Sequence, residues 1–103
     1  MTPEEKAEKI RKVGELLEKA PCTGWYAKNS QGKSVDECSS EACCWCVKGA
    51  FRKVCDYDLW AIGAVVRAAE VYLDVDNIQV AWEGQGTTDE SRLELARKLQ
   101  KYV

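Results

Sequence analysis

The stretch from Leu59 to Leu73 constrains the fold most, because it is apolar on most sides when drawn as a helix. One stripe comprises Leu59, Ile62, Val66, Ala69 and Leu73, and a second comprises Ala61, Val65, Ala68 and Tyr72. Asp56 or Asp58 can cap the start of this helix with a side-chain oxygen. We therefore predict a helix over residues 59–73 that occupies the centre of the domain.

Three further helices are predicted from capping residues and apolar spacing. The first follows the capping sequence Thr2-Pro3-Glu4-Glu5, buries Ile10, Val13, Leu17 and Ala20, and ends before Pro21. The second runs from Ser39 or Ser40 to about Cys55, with Trp45 and Cys46 on its apolar face. The last follows the capping box Thr87-Thr88-Asp89-Glu90.

Two segments, residues 22–38 and 74–86, are predicted to be long irregular loops. Turn-forming residues fill the first, and the second shows only a short alternation of Ile78, Val80 and Trp82. That alternation permits a strand, but no partner strand is predicted. The chain of 103 residues is predicted to be one all-α domain (residues 1–103), a compact bundle of about four helices with two long irregular loops.

The charge and residue types exclude several classes of function. Fifteen basic and 17 acidic residues give a net charge of −2, which argues against nucleic-acid binding. No apolar run approaches the roughly 18 residues of a membrane span, and no secretory segment is predicted, so we expect a cytoplasmic protein. There is no histidine and no phosphate-binding loop, and we therefore predict neither an enzyme nor a bound cofactor.

The six cysteines are the unusual feature, and three interpretations compete. We favour the interpretation that they are small apolar side chains, with Cys43 and Cys46 facing the core and Cys44 and Cys55 on the polar face. In the alternative of a zinc module, four thiolates would hold the metal; these are Cys22, Cys38, Cys43 and Cys46. In the alternative of a thiol redox protein, Cys43 and Cys46 form the reactive pair at a helix start.

Two tryptophans fall in the predicted loops and carry the main hypothesis of partner binding. Trp25 and Trp82 can fill the end of the domain, which we favour, or they can anchor a partner. An exposed apolar patch of Trp25, Tyr26 and Trp82 would indicate partner binding, so these three are the candidate site residues. Lys28, Lys33 and Lys48 are the candidates for the alternative of a small anionic ligand.

Several segments resemble a family of small uncharacterised proteins from actinobacteria, other bacteria and their phages. The resemblance rests on Ala42-Cys43-Cys44-Trp45-Cys46-Val47-Lys48-Gly49-Ala50, on the glycine turn in residues 27–36, and on Trp82 before the closing helix. The family has a helix of the form A-x-x-W-C-x-x-G-A and a W-N-D segment, whereas this chain has Glu83 and Gly84 after the tryptophan.

The resemblance implies a packing role for Cys46 beside Gly49 and Ala50 and implies no metal site and no known activity. It shifts the expectation toward accessory proteins of phages and mobile elements. The function we predict is a non-catalytic interaction protein whose partner is another protein or a second copy of itself. The alternatives that stay open are the anionic-ligand binder, the zinc-stabilised module and the thiol redox protein.

Overall fold

In the computed structural model, which describes residues 1–103, five helices and one minimal hairpin are arranged around a single hydrophobic core. The helices are α1 (Pro3–Lys19), α2 (Val47–Val54), α3 (Leu59–Leu73), α4 (Ile78–Glu83) and α5 (Asp89–Leu99). The strands β1 (Ala27–Lys28) and β2 (Cys44–Trp45) pair antiparallel, with Ala27 opposite Trp45. The predicted mostly helical fold of about four helices is confirmed. Four of the five helices have seven residues or more, and only α4 is shorter.

Helix α1 begins and ends where its sequence predicts. Thr2 Oγ1 accepts a hydrogen bond from Glu5 N at 3.1 Å, and Pro3 occupies the first helical position. The predicted inward residues Ile10, Val13 and Leu17 are buried. This long amphipathic helix contacts α2, α3 and α5, so α1 is the element around which the others assemble.

The predicted start of the second helix is wrong, since α2 begins only at Val47. Cys46 is its N-cap, and the preceding Cys44 and Trp45 are extended because they pair with neighbouring backbone. Trp45 N donates to Ala20 O at 2.9 Å. Ser39 Oγ accepts from Glu41 N at 3.1 Å, which closes a local turn instead of capping a helix.

Helix α3 has the predicted bounds, but its predicted central position is wrong. Asp58 Oδ1 caps it by accepting from Trp60 N at 3.1 Å and Ala61 N at 3.2 Å. Only Ala61, Val65 and Ala69 are buried, whereas Leu59 is 78% and Trp60 91% exposed. The inward stripe consists of small residues. At its edges Ile62, Val66 and Leu73 are partly buried, while Leu59, Trp60, Val71 and Tyr72 are exposed.

The second predicted loop contains helix α4, which the alternation of apolar residues does not indicate. Asn77 Oδ1 caps it by accepting from Gln79 N at 2.9 Å. Ile78 and Trp82 are buried because residues four apart share one face of a helix, while Val80 is exposed. The last helix is confirmed, although its capping box joins Thr88 to Ser91, one position later than predicted.

Candidate functional site

A groove of about 470 Å³ lies between α2 and α3, on the side where the β1 hairpin approaches them. Its apolar lining comes from both helices and comprises Phe51, Leu59, Ile62 and Val66. Of these, Phe51 is fully buried, while Leu59 is exposed at one end. The groove therefore joins the core of the domain to an open apolar surface.

The spacing of residues along α3 explains why this groove exists. Leu59, Ile62, Val66 and Glu70 recur at three- or four-residue intervals and so lie on one side of the helix. Gly63 lies between them, and a Cβ added there would meet no atom within 4 Å. The missing side chain at Gly63 keeps the middle of the groove open.

The lining of the groove contains three cationic side chains and one carboxylate. Lys48 and Arg52 come from α2, and Arg67 and Glu70 come from α3. Glu70 Oε2 already accepts a hydrogen bond from Ile78 N at 2.9 Å, and Lys48 and Arg67 form no ion pair. The groove consequently combines an apolar floor with uncompensated positive charge.

Arg52 is held in place by a buried carboxylate and two aromatic rings. Arg52 Nε lies 3.0 Å from Glu37 Oε1, but its N–H is not aimed at that oxygen, so the contact is an ion pair without a hydrogen bond. The guanidinium lies 4.7 Å from the ring centre of Tyr26 and 5.5 Å from that of Tyr57. This arrangement fixes one cation of the groove.

Glu37 contacts Arg52, Trp45 and Tyr57 and so connects the polar side chains next to the groove. Its side chain is almost fully buried, and its backbone oxygen accepts from Trp45 Nε1 at 2.9 Å. The hydroxyl of Tyr57 lies 2.7 Å from Glu37 Oε2 and also contacts the carboxylate of Asp36. Hydrogen bonds from the Tyr57 hydroxyl and from Cys38 N lower the pKa of Asp36.

The pKa of Asp36 predicts a contribution to acid sensitivity. The pKa of Asp36 is lower in the folded state than its value of about 3.9 in the unfolded state. Asp36 therefore contributes fully to stability at a pH above the unfolded-state pKa, and this contribution is lost as the pH falls through the folded-state pKa. We expect Asp36→Asn to flatten the loss of stability as the pH falls below about 4, as measured by urea midpoints. The control is Asp76→Asn, an exposed carboxylate without a hydrogen bond. Equal pH slopes in wild type and Asp36→Asn would contradict the assignment.

The cysteines predicted to hold zinc are not brought together. Cys38 and Cys43 are exposed, Cys46 is buried, and Cys22 is half-buried beside Cys44. No group of three or more His, Cys, Asp or Glu side chains is arranged to hold a metal ion. The structure thus does not assemble the set Cys22, Cys38, Cys43 and Cys46.

The predicted redox pair also lacks its helical setting. Cys43 lies before the helix, and Cys46 Sγ accepts from Gly49 N at 3.4 Å as the N-cap of α2. Burial raises the pKa of the Cys46 thiol, which opposes formation of a thiolate. The core position predicted for Cys46 is confirmed, whereas the core position of Cys43 and the polar-face position of Cys55 are wrong, because Cys43 is exposed and Cys55 is buried.

The structure separates the three predicted partner-binding residues. Trp25 is 61% and Tyr26 43% exposed, but Trp82 is fully buried and cannot contact a partner. Trp82 Nε1 donates to Cys22 O at 2.8 Å, so Trp82 fills the end of the domain, as we favoured for it. The predicted patch of three residues is therefore wrong at Trp82, while Tyr26 contributes to the groove instead.

The three predicted lysines do not converge on one site. Lys48 lines the groove, whereas Lys28 lies in β1 and Lys33 is exposed in the loop that follows. Sequence reasoning missed Arg52 and Arg67, which supply the other two cations. A signal for the groove did exist in the stripe Leu59, Ile62 and Val66, which we assigned to the core.

Comparison with known proteins identifies a family for this chain but no relative of known function. No curated protein and no solved structure matches it. None of its helices combines the length and the apolar character needed to span a bilayer. The model of a family of unknown function, DUF6197, matches residues 1–99, and the resemblance to a family of uncharacterised proteins is thereby confirmed. The chain belongs to the DUF6197 family.

Proposed function

We propose that this protein acts without catalysis, by binding a partner protein in the groove between α2 and α3. The observation that carries the proposal is the apolar floor of the groove bordered by Lys48 and Arg67, which have no ion-pair partner. The matching occupant is an apolar segment of the partner that also carries acidic side chains.

The surface around the groove supports a macromolecular occupant. Trp60 is 91% exposed next to Leu59, so apolar surface continues beyond the end of the groove. Burying one large apolar side chain contributes about 1.5–3 kcal/mol, and micromolar binding corresponds to about 8 kcal/mol after the cost of association, so several anchors spread over a macromolecular surface are needed. The cations add charge complementarity, which selects acidic segments and speeds association.

The lining favours binding over chemistry. Its polar side chains are Lys48, Arg52, Arg67, Glu70 and the Tyr26 phenol, and it contains no serine, threonine, cysteine or histidine. Arg52 is engaged by Glu37, and Glu70 by the backbone of α4. These groups suit orientation of a charged ligand more than proton transfer or nucleophilic attack.

A small apolar carboxylate is the second candidate ligand. The volume of about 470 Å³ falls within the roughly 300–1,000 Å³ typical of small-molecule sites. Such a ligand would use the same apolar floor and the same cations. It differs from a protein partner in that it would not need Trp60 outside the groove.

The proposal is tested by selecting binders from a random peptide library displayed against the wild-type protein. We expect enriched peptides with apolar anchors flanked by Asp or Glu, and binding about tenfold weaker to Arg67→Glu. The matched control is Lys98→Glu, which reverses an exposed cation on α5 and should leave affinity unchanged.

Three outcomes would count against a peptide partner. Failure to enrich any peptide, enrichment without acidic residues, or equal affinity for wild type and Arg67→Glu would each contradict it. If only free apolar carboxylates bind and Trp60→Ala leaves their affinity unchanged, the small-ligand candidate replaces it. If wild-type protein competes with the peptides by forming dimers, the partner is a second copy of the chain.

A further inference from the structure

A second cavity, of about 280 Å³, lies between α4 and the loop of residues 22–26 that precedes β1. Trp25 and Tyr26 line it from the loop, and Gln79 and Glu83 line it from α4. Tyr26 is the only residue that this α4 cavity shares with the groove between α2 and α3. The α4 cavity is therefore a separate candidate site, and the chemistry of its lining differs from that of the groove.

Two hydrogen bonds hold the loop against α4. Trp82 Nε1 donates to Cys22 O at 2.8 Å, and Gly24 N donates to Glu83 Oε1 at 2.9 Å. The backbone turns at Gly24 with φ 92°, a left-handed conformation that glycine adopts without strain. Because these contacts fix the loop relative to the helix, the α4 cavity is preformed.

The lining of the α4 cavity is negatively charged. Glu83 is its only charged side chain, and this carboxylate is half-buried and has no ion-pair partner. Glu83 Oε2 accepts no hydrogen bond, since the bond from Gly24 N goes to Oε1. The ammonium group of Lys28 approaches Gly24 but lies beyond ion-pair distance of Glu83. A half-buried carboxylate without a cation favours binding of a positively charged group.

Gln79 supplies a second acceptor for such a group. Gln79 and Glu83 are four residues apart on α4, so their side chains lie on the same side of the helix. Gln79 Oε1 is shielded from solvent and accepts no hydrogen bond, which is an unfavourable state for a carbonyl oxygen. Its amide can turn that oxygen toward a donor in the α4 cavity without giving up an existing bond.

The aromatic side chains of the loop are suited to a planar cation. The guanidinium of Arg52 already lies 4.7 Å from the ring centre of Tyr26, so one cation–π contact is present at the edge of the site. Trp25 is 61% exposed and has no cation over its indole. Tryptophan is the aromatic side chain that attracts cations most strongly, so the indole of Trp25 is available to an incoming cation.

We propose that the α4 cavity binds a guanidinium group, carried by an arginine side chain or by a free guanidino compound. The guanidinium would stack on Trp25 and donate N–H groups to Glu83 Oε2 and to the amide oxygen of Gln79. A guanidinium fits better than an ammonium group, because it is planar, presents its donors in a fixed fork and is less strongly hydrated. The groove between α2 and α3 has the opposite charge, so this proposal does not depend on the occupant of the groove.

The test is an NMR titration of the isotope-labelled full-length protein with N-acetyl-arginine methylamide at constant ionic strength. We expect saturable shifts at the amide of Gly24 and at the indole N–H of Trp25, with a dissociation constant on the order of 1 mM. The neutral isostere N-acetyl-citrulline methylamide should produce no saturable shift at either position. Equal binding of the citrulline compound, or no saturable shift with the arginine compound, would overturn the proposal.

Variants test the assigned contacts. Glu83→Gln keeps an oxygen for the hydrogen bond from Gly24 N, and we expect it to weaken binding about tenfold. Trp25→Ala, followed at the Gly24 amide, should weaken binding about threefold. The control Glu90→Gln, which removes an exposed carboxylate on α5, should leave the affinity unchanged. Equal affinity for wild type and Glu83→Gln would contradict the proposed site.

Two further probes identify the source of the guanidinium. One is ethylguanidinium, and the other is a blocked five-residue peptide with a central arginine between glycines. Tighter binding of the peptide would support the site and indicate an arginine of a polypeptide. Equal affinity for the two probes would support the site and indicate a free guanidino compound, whereas binding of neither would overturn the proposal.

Discussion

Replacing Gly49 by alanine is expected to lower the free energy of unfolding by about 3 kcal/mol or more. A Cβ at this position would overlap the carbonyl oxygen of Tyr26 and lie 2.6 Å from its carbonyl carbon. That carbonyl cannot move away freely, because it accepts a hydrogen bond from Cys46 N at 3.2 Å. Urea unfolding of the wild type and the variant measures the difference.

The matched control for Gly49 is the exposed helical glycine Gly63. Helix propensity alone predicts that either change to alanine stabilises by about 0.5–1 kcal/mol. At Gly63 an added Cβ meets nothing within 4 Å, so we expect that gain to be observed there. If Gly49→Ala were also stabilising, the close contact between α2 and the backbone of Tyr26 would be wrong.

Replacing Trp82 by alanine is expected to cost about 3–5 kcal/mol of stability. Its indole is fully buried, and removing it would also leave Cys22 O without its hydrogen bond from Trp82 Nε1. Against a typical total of roughly 5–15 kcal/mol, this loss unfolds a large fraction of the molecules on mild heating. Thermal and urea unfolding both report it.

The same substitution at Trp60 is the control, because this tryptophan is 91% exposed. We expect Trp60→Ala to change stability by less than about 0.5 kcal/mol. Comparing the two variants therefore distinguishes a tryptophan that stabilises the core from one that lies on the surface. Similar losses for both variants would contradict the burial of Trp82, and a stability unchanged by Trp82→Ala would do so most strongly.

The helices predicted best from sequence have local signals that agree with their packing. In α1 the cap Thr2, Pro3 at the first position and the apolar spacing all indicate the same element. In α3 the cap at Asp58 fixes the start, and Asp74 ends the helix in a left-handed conformation with φ 56°. The capping residues and the apolar spacing were therefore enough to predict where these two helices begin and end.

The segment before α2 shows where local signals fail. Residues 39–46 have a serine cap and helical apolar spacing, yet Cys44 and Trp45 are extended. The distant backbone partners of this segment are Ala20, Cys22, Tyr26 and Lys28, each bonded to a residue at least 15 positions away in the chain. Pairing over that distance has no signature in a local window of sequence.

The outer surface of α3 explains why the groove was missed. A helix that is apolar on most sides predicts burial all round, and its two stripes do not show which of them faces the core. The structure buries the stripe of small residues, and Leu59, Ile62 and Val66 remain to line the groove. The cations Arg52 and Arg67 become meaningful only once α2 and α3 lie side by side.

Chemical-shift mapping of an acidic library-selected peptide on isotope-labelled protein shows directly which surface binds the peptide. We predict that the largest amide shifts fall at Phe51, Ile62, Gly63 and Val66, and that Arg67→Glu greatly reduces them. Shifts centred on Trp25, or on any surface outside the groove between α2 and α3, would contradict the assignment of this groove as the binding site.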